Sequence, residues 1–332
     1  MSKGSWTQMK PLPQGVNEVV GAVVDDRLYV YGGERMQTRR FYGGTAVQTQ
    51  PLGAFWAYDP DTDSWTRLKA NPVPVHHGAV AAVGKRFYLF GGFRLPDTGN
   101  MGWYPERKAW VYDTRTQDWS ELPPMPTRRG ALAAVAVGNK ISVVGGAKIP
   151  SGVRLPNGLS ARSPVEILAT TEMFDTEKKT WTALRPMTLA RNHHDVAYLD
   201  GKLYAVGGAV GSCFPGGWAS NVQMNEAYDI ASDTWTTGAP MPTARSGIGA
   251  AVIDGKIYVI GGRGWVDERG GVFRTNEAYD PKSDSWVEET PMPTPRHGFA
   301  KGVLDGKLYA VSGTNLMSFM FSRMALNEVY TP

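Results

Sequence analysis

The chain has 332 residues, 42% of them hydrophobic, with a formal net charge of +4 and a single cysteine. That length and apolar content suffice for a large buried core, and one cysteine excludes an intramolecular disulfide and any Cys-rich metal spacing. The basic residues are dispersed rather than run together, so nucleic acid is not an expected partner.

Met-Ser-Lys-Gly-Ser-Trp at the start is polar and leads directly into a strand, Ser5-Trp6-Thr7-Gln8-Met9. No signal peptide or membrane span is visible, so a cytoplasmic location and no membrane partner are expected, with a trimmed export signal left open. From there one pattern recurs six times. A small-residue apolar run, as in His77-Gly78-Ala79-Val80-Ala81-Ala82-Val83, reads as a buried strand. A turn such as Asp200-Gly201, Asp254-Gly255 or Asp305-Gly306 makes the next strand antiparallel to it.

The second strand alternates and ends in paired glycines, at Arg27 to Gly33, Arg86 to Gly92, Lys140 to Gly146, Lys202 to Gly208 and Lys256 to Gly262, with Ser312-Gly313 as the variant. The third carries Tyr58, Tyr112, Phe174, Tyr228, Tyr279 and Tyr330. The fourth carries Trp65, Trp119, Trp181, Trp235 and Trp286, with Trp6 at the start of the chain. Successive tryptophans lie 59, 54, 62, 54 and 51 residues apart, the period of a four-stranded propeller blade. The expected fold is all-β: a six-bladed β-propeller of four-stranded antiparallel blades forming one domain over 1–332. The chain ends on a third strand and begins on a fourth, so the N-terminal strand should complete the last blade and remove an open edge.

Connections between second and third strands are long, at 34–53, 93–108, 147–168, 209–224, 263–275 and 314–326. Equivalent loops of a propeller emerge on one face, and long loops on a rigid scaffold are where recognition is usually placed. They carry Trp103, Tyr104, Phe214, Trp265 and Phe319, and arginines including Arg94, Arg263 and Arg274. Such aromatics either pack on one another or line a pocket.

Sixteen positions before each glycine pair (or Ser312) stand Val16, Val75, Arg129, Arg191, Arg245 and Arg296. The five histidines, His76, His77, His193, His194 and His297, fall in the same zone. Three of them, His77, His193 and His297, belong to alternate blades and are candidate ligands for Zn or Fe, although their offsets from the glycines differ. Glu18, Asp195 and Lys301 interrupt otherwise small, apolar inner strands. Strand alternation sets Arg191, His193 and Asp195 on one face, where Asp195 could orient His193. A structural ion network fits the same pattern.

The double glycine, Tyr and spaced Trp resemble the kelch repeat, over residues 5 to 332. Kelch proteins that bind acidic peptides grip carboxylates with arginines at this repeat position. The resemblance therefore implies that Arg129, Arg191, Arg245 and Arg296, together with His297 and the loop aromatics, bind an anionic, partly apolar ligand, either a small molecule or an acidic peptide. A monomer without cofactor is expected. Stand-alone kelch propellers also include sialic-acid epimerases and iron-using lyases. The alternative is thus an isomerase or lyase acting on a carboxylated substrate, with Glu18, His77, His193 and Asp195 in acid–base roles. A scaffold using only its outer blade edges ranks last.

Overall fold

A computed structural model describes residues 3–41, 44–95, 103–150, 166–212, 219–266, 269–317 and 323–332. Six four-stranded antiparallel sheets stand in a ring, and the described residues contain no helix. The innermost strands, in ring order, are Asn17–Val24, Ala79–Val83, Ala133–Val137, Asp195–Leu199, Gly249–Ile253 and Ala300–Leu304. Each contacts the next and the last contacts the first, closing the ring.

Closure is made as expected. Ser5–Met9 pairs antiparallel with Asn327–Thr331, from Ser5 opposite Thr331 to Met9 opposite Asn327, and Trp6 packs 5.2 Å from the Tyr330 ring. The chain's two ends thus share blade six, which leaves no blade without its outer strand.

The repeated residues hold neighbouring blades together. Every signature tryptophan donates its indole N–H to a carbonyl just beyond the outer strand of the preceding blade: Trp65 to Lys10, Trp119 to Lys69, Trp181 to Pro123, Trp235 to Arg185, Trp286 to Ala239 and Trp6 to Thr290, all at 2.8–2.9 Å. The indole's apolar body meanwhile packs on its own blade's Tyr or Phe, as for Tyr58 and Trp65 at 4.9 Å and Phe174 and Trp181 at 4.9 Å. Such a residue needs one wet or polar edge and one apolar face, which an aliphatic side chain cannot supply.

The glycine pairs work nearer the axis. The second glycine's N–H donates to the next blade's entry residue, as from Gly92 to Arg129, Gly146 to Arg191 and Gly208 to Arg245, at 2.9–3.0 Å. The first must be side-chain-free where blades meet this closely: a Cβ on Gly91, at φ +56°, would lie 2.4 Å from the Arg129 carbonyl oxygen. Ser312 tolerates the same left-handed conformation, φ 67°, because its hydroxyl reaches the Val16 and Met324 carbonyls.

Candidate functional site

Three consecutive residues leading into each inner strand form three layers around the axis, and their fates differ. The outermost layer, sixteen positions before the glycines, holds the four arginines. Expected to face a ligand, they instead turn into the blades and are completely buried. Arg129 Nη1 lies 2.9 Å from Glu172 Oε2, Arg191 Nη1 2.6 Å from Glu226 Oε2 and Arg245 Nη2 2.6 Å from Glu277 Oε2, and Arg296 pairs with Glu328. Each guanidinium also donates to a carbonyl of its own blade: Val143, Ala205, Val259 and Ala310 respectively. Thr127, Thr188, Thr243 and Thr294 donate to the other oxygen of the same glutamates. An arginine with no exposed surface and a carboxylate partner is not placed to grip a second carboxylate, which corrects the ligand-binding role expected for these four.

This clasp changes as a unit along the chain. Blades one and two have Val16 and Val75 at the arginine position, and Trp56 and Trp110 at the glutamate position. Each Val packs in the same cluster as its Trp. A buried ion is tolerated only with its partner, so losing one member requires losing both.

The middle layer comprises Asn17, His76, Gly130, Asn192, Ser246 and His297. The innermost layer, fourteen positions before the glycines, comprises Glu18, His77, Ala131, His193, Gly247 and Gly298. All six adopt left-handed backbone, with φ from 51° to 66°. Their peptide groups are linked blade to blade: Ala131 N–H to His77 O, His193 to Ala131, Gly247 to His193, Gly298 to Gly247, and Val19 to Gly298, at 2.8–3.3 Å. Gly suits that conformation, whereas an L residue held there costs about 1–2 kcal/mol.

Those left-handed residues bring ionisable groups together. His77 Nε2 lies 3.1 Å from Glu18 Oε2, the His77 and His193 rings are 5.0 Å apart, and His297 Nδ1 is 3.7 Å from Glu18 Oε1. Behind them, His76 and His77 face each other Nδ1 to Nδ1 at 2.5 Å, and His76 Nδ1 lies 3.4 Å from Glu34 Oε2. Burial pushes the Glu18 carboxyl up to about 7 and raises Glu34 further from its ordinary value. Burial lowers His76 and His193 to about 3 and holds His77, His194 and His297 well below the usual imidazole range, favouring the neutral form.

Asp195 does not orient His193. The turn at His193 breaks the strand alternation, and the Asp195 carboxylate goes instead to Lys301 and to the Ala250 N–H, while His193 Nδ1 pairs with Asn192 Oδ1 at 2.5 Å. Asp195 and Lys301 line a channel cavity of about 110 Å³ that the ring residues Glu18, His77 and His193 also bound, with small inner-strand residues such as Ala79, Ala133 and Gly21 along its wall.

On the loop side, two-stranded ribbons Phe93–Arg94 with Tyr104–Pro105, Ala147–Lys148 with Glu166–Ile167, Ala209–Gly211 with Ala219–Asn221, and Arg263–Val266 with Arg269–Val272 touch their neighbours and wall the mouth. Trp103 is buried, stacked on Phe93 at 5.4 Å and set 4.7 Å from both His76 and His77. Tyr104 lies beneath the Arg94 guanidinium, which also binds Glu106. Trp265 has its backbone in a ribbon opposite Gly270. Phe214 and Phe319 lie outside the described residues, as does the Trp265 side chain. The residue that sequence reasoning underweighted is Arg263. It follows the glycine pair of blade five, its Nη1 donates to the Met317 carbonyl, and its charge reaches Glu18, Glu34, His77, His193 and His297.

Ring, ribbons and channel define a propeller scaffold of repeat type. The KLHDC2/KLHL20/DRC7 Kelch-repeats domain matches residues 1–208, and the Kelch motif matches 190–242 and 244–293. The chain belongs to the Kelch-repeat family. It is similar to Kelch-like protein terF of Aspergillus terreus, 28% identical over 318 residues that cover 93% of this chain and 64% of that protein. It is also similar to Kelch-like protein 15 of Danio rerio, 27% identical over 262 residues covering 75% and 40%, and to beta-scruin of Limulus polyphemus, 34% identical over 158 residues covering 47% and 17%. The chain thus spans less than two thirds of the length of these relatives.

Proposed function

We propose that this chain is a recognition propeller whose ligand docks in the loop-side mouth, with its carboxylate on Arg263 and its apolar part against the loop aromatics. Arg263 carries the reading. It is a partly buried cation whose charge reaches the ring imidazoles and the Glu18 and Glu34 carboxyls that burial holds toward their protonated forms, and it has a carbonyl partner at 3.4 Å. A guanidinium in such a setting suits a bidentate anion better than the glutamate-paired arginines do.

A thermal-shift panel of aromatic carboxylates and their primary amides tests this. Carboxylates should raise the melting temperature of the wild type, amides should not, and Arg263→Ala should abolish the response. Equal stabilisation by amides, or an Arg263→Ala protein that responds like wild type, overturns the reading. A second reading, proton-transfer catalysis in the same mouth, is favoured by one observation: Glu18, pushed up to about 7 by burial and set against His77, is poised near neutral pH as an acid–base group must be.

A further inference from the structure

We propose that Glu18, His77 and His193 hold one first-row divalent metal ion on the propeller axis, as a two-imidazole, one-carboxylate set with coordination positions open to an exogenous ligand. This site stands whether or not a carboxylate docks on Arg263.

Convergence comes first. One ligand atom from each of the three residues lies within 4.8 Å of the other two. Metal–ligand distances of about 2.0–2.2 Å need donors roughly 3 to 3.5 Å apart, so only a small inward movement is required. The expected trio of His77, His193 and His297 is thereby altered. His297 sits one position earlier in its repeat and donates Nε2–H to the Leu316 carbonyl, and Glu18, in phase with His77 and His193, takes the third place.

The donors are also turned toward one another. Glu18 Oε1 and His193 Nε2 are buried atoms without a hydrogen-bond partner among the described residues, and His77 Nε2 faces only the Glu18 carboxylate, 3.1 Å away. Leaving such atoms unpaired is costly, and native structures rarely do so without a reason. For both imidazoles the partnered nitrogen is Nδ1, held by Asn192 Oδ1 for His193 and by His76 for His77. Outer contacts of this kind fix the ring and direct Nε2 to the ion. His76 is backed in turn by Glu34.

Backbone strain points the same way. The ring position is glycine in blades five and six and alanine (Ala131) in blade three, whereas blades one, two and four hold Glu18, His77 and His193 there in the same left-handed conformation. Three of the four strained ring residues are ionisable and converge, the pattern of a functional site. Gly298 supplies the room, since a Cβ on it would lie 2.8 Å from Glu18 Cδ. Two nitrogens and one oxygen suit Zn(II) or Fe(II).

The test uses the full chain, stripped with chelator and dialysed against Zn(II) or, anaerobically, Fe(II), with Co(II) as an optical probe. One equivalent of ion per chain and visible Co(II) ligand-field bands are expected. Glu18→Gln, His77→Asn and His193→Asn should each weaken binding by about 100-fold or more. Asn192→Ala, which leaves all three ligands in place, should weaken it about 10- to 100-fold. Lys69→Met on the exposed outer rim should leave it unchanged. Melting curves of the metal-free variants establish that each is folded, and Asn192→Ala decides the matter should a ligand variant unfold. Sub-stoichiometric binding of every ion, or unchanged affinity in folded His77→Asn and His193→Asn, overturns the assignment.

Discussion

The arginine layer and the left-handed ring begin only two residues apart on the same strands, and both are rich in buried ionisable groups, yet they are built to opposite ends. Arg129, Arg191, Arg245 and Arg296 each meet a glutamate and a carbonyl inside one blade, and the pattern is replaced wholesale by Val and Trp where it is absent. In the ring, Glu18, His77 and His193 meet across blades and occupy backbone that glycine would fill with less strain. Charge repeated with the fold marks architecture here, and charge that departs from the repeat marks the proposed site.

Substitutions that sharpen this contrast span a range of effects. The largest is expected for Arg245→Ala. It strands the Glu277 carboxylate in the blade and should cost about 3–5 kcal/mol in denaturant unfolding. Next, Arg129→Val alone should be clearly worse than Arg129→Val combined with Glu172→Trp. The double variant, which copies the arrangement of blades one and two, should recover about 1–3 kcal/mol of the loss in a double-mutant cycle. Full additivity would show that the clasp is not a unit.

Smaller effects are expected in the ring. Gly298→Ala should leave the protein folded at a cost of about 1–2 kcal/mol from its left-handed backbone, but should displace the Glu18 carboxylate and weaken ion binding. Ala131→Gly should change stability least, by less than about 1 kcal/mol, because relief of strain and added chain entropy offset each other.

Legibility in the sequence tracks the range over which each residue finds its partners. Blade number, strand order and closure depend on local signals, the glycine pairs, Tyr and Trp, and are readable without coordinates. The arginines were readable as a period but not as a direction. The deciding signal was present in the glutamates of Thr171-Glu172, Asn225-Glu226, Asn276-Glu277 and Asn327-Glu328, which occur only in blades that carry the arginine. Alternation misplaced Asp195 because the left-handed turn at His193 resets the facing of the strand residues after it. Counting offsets from the glycines, rather than along each strand, groups Glu18 with His77 and His193 and separates His297.

The most direct test is the unfolding free energy of His193→Gly measured beside that of Arg245→Ala. If the ring residue serves a site and the arginine serves the fold, His193→Gly should lie within about 1 kcal/mol of wild type while Arg245→Ala loses several. A large loss at His193 with a near-neutral Arg245→Ala would contradict the account.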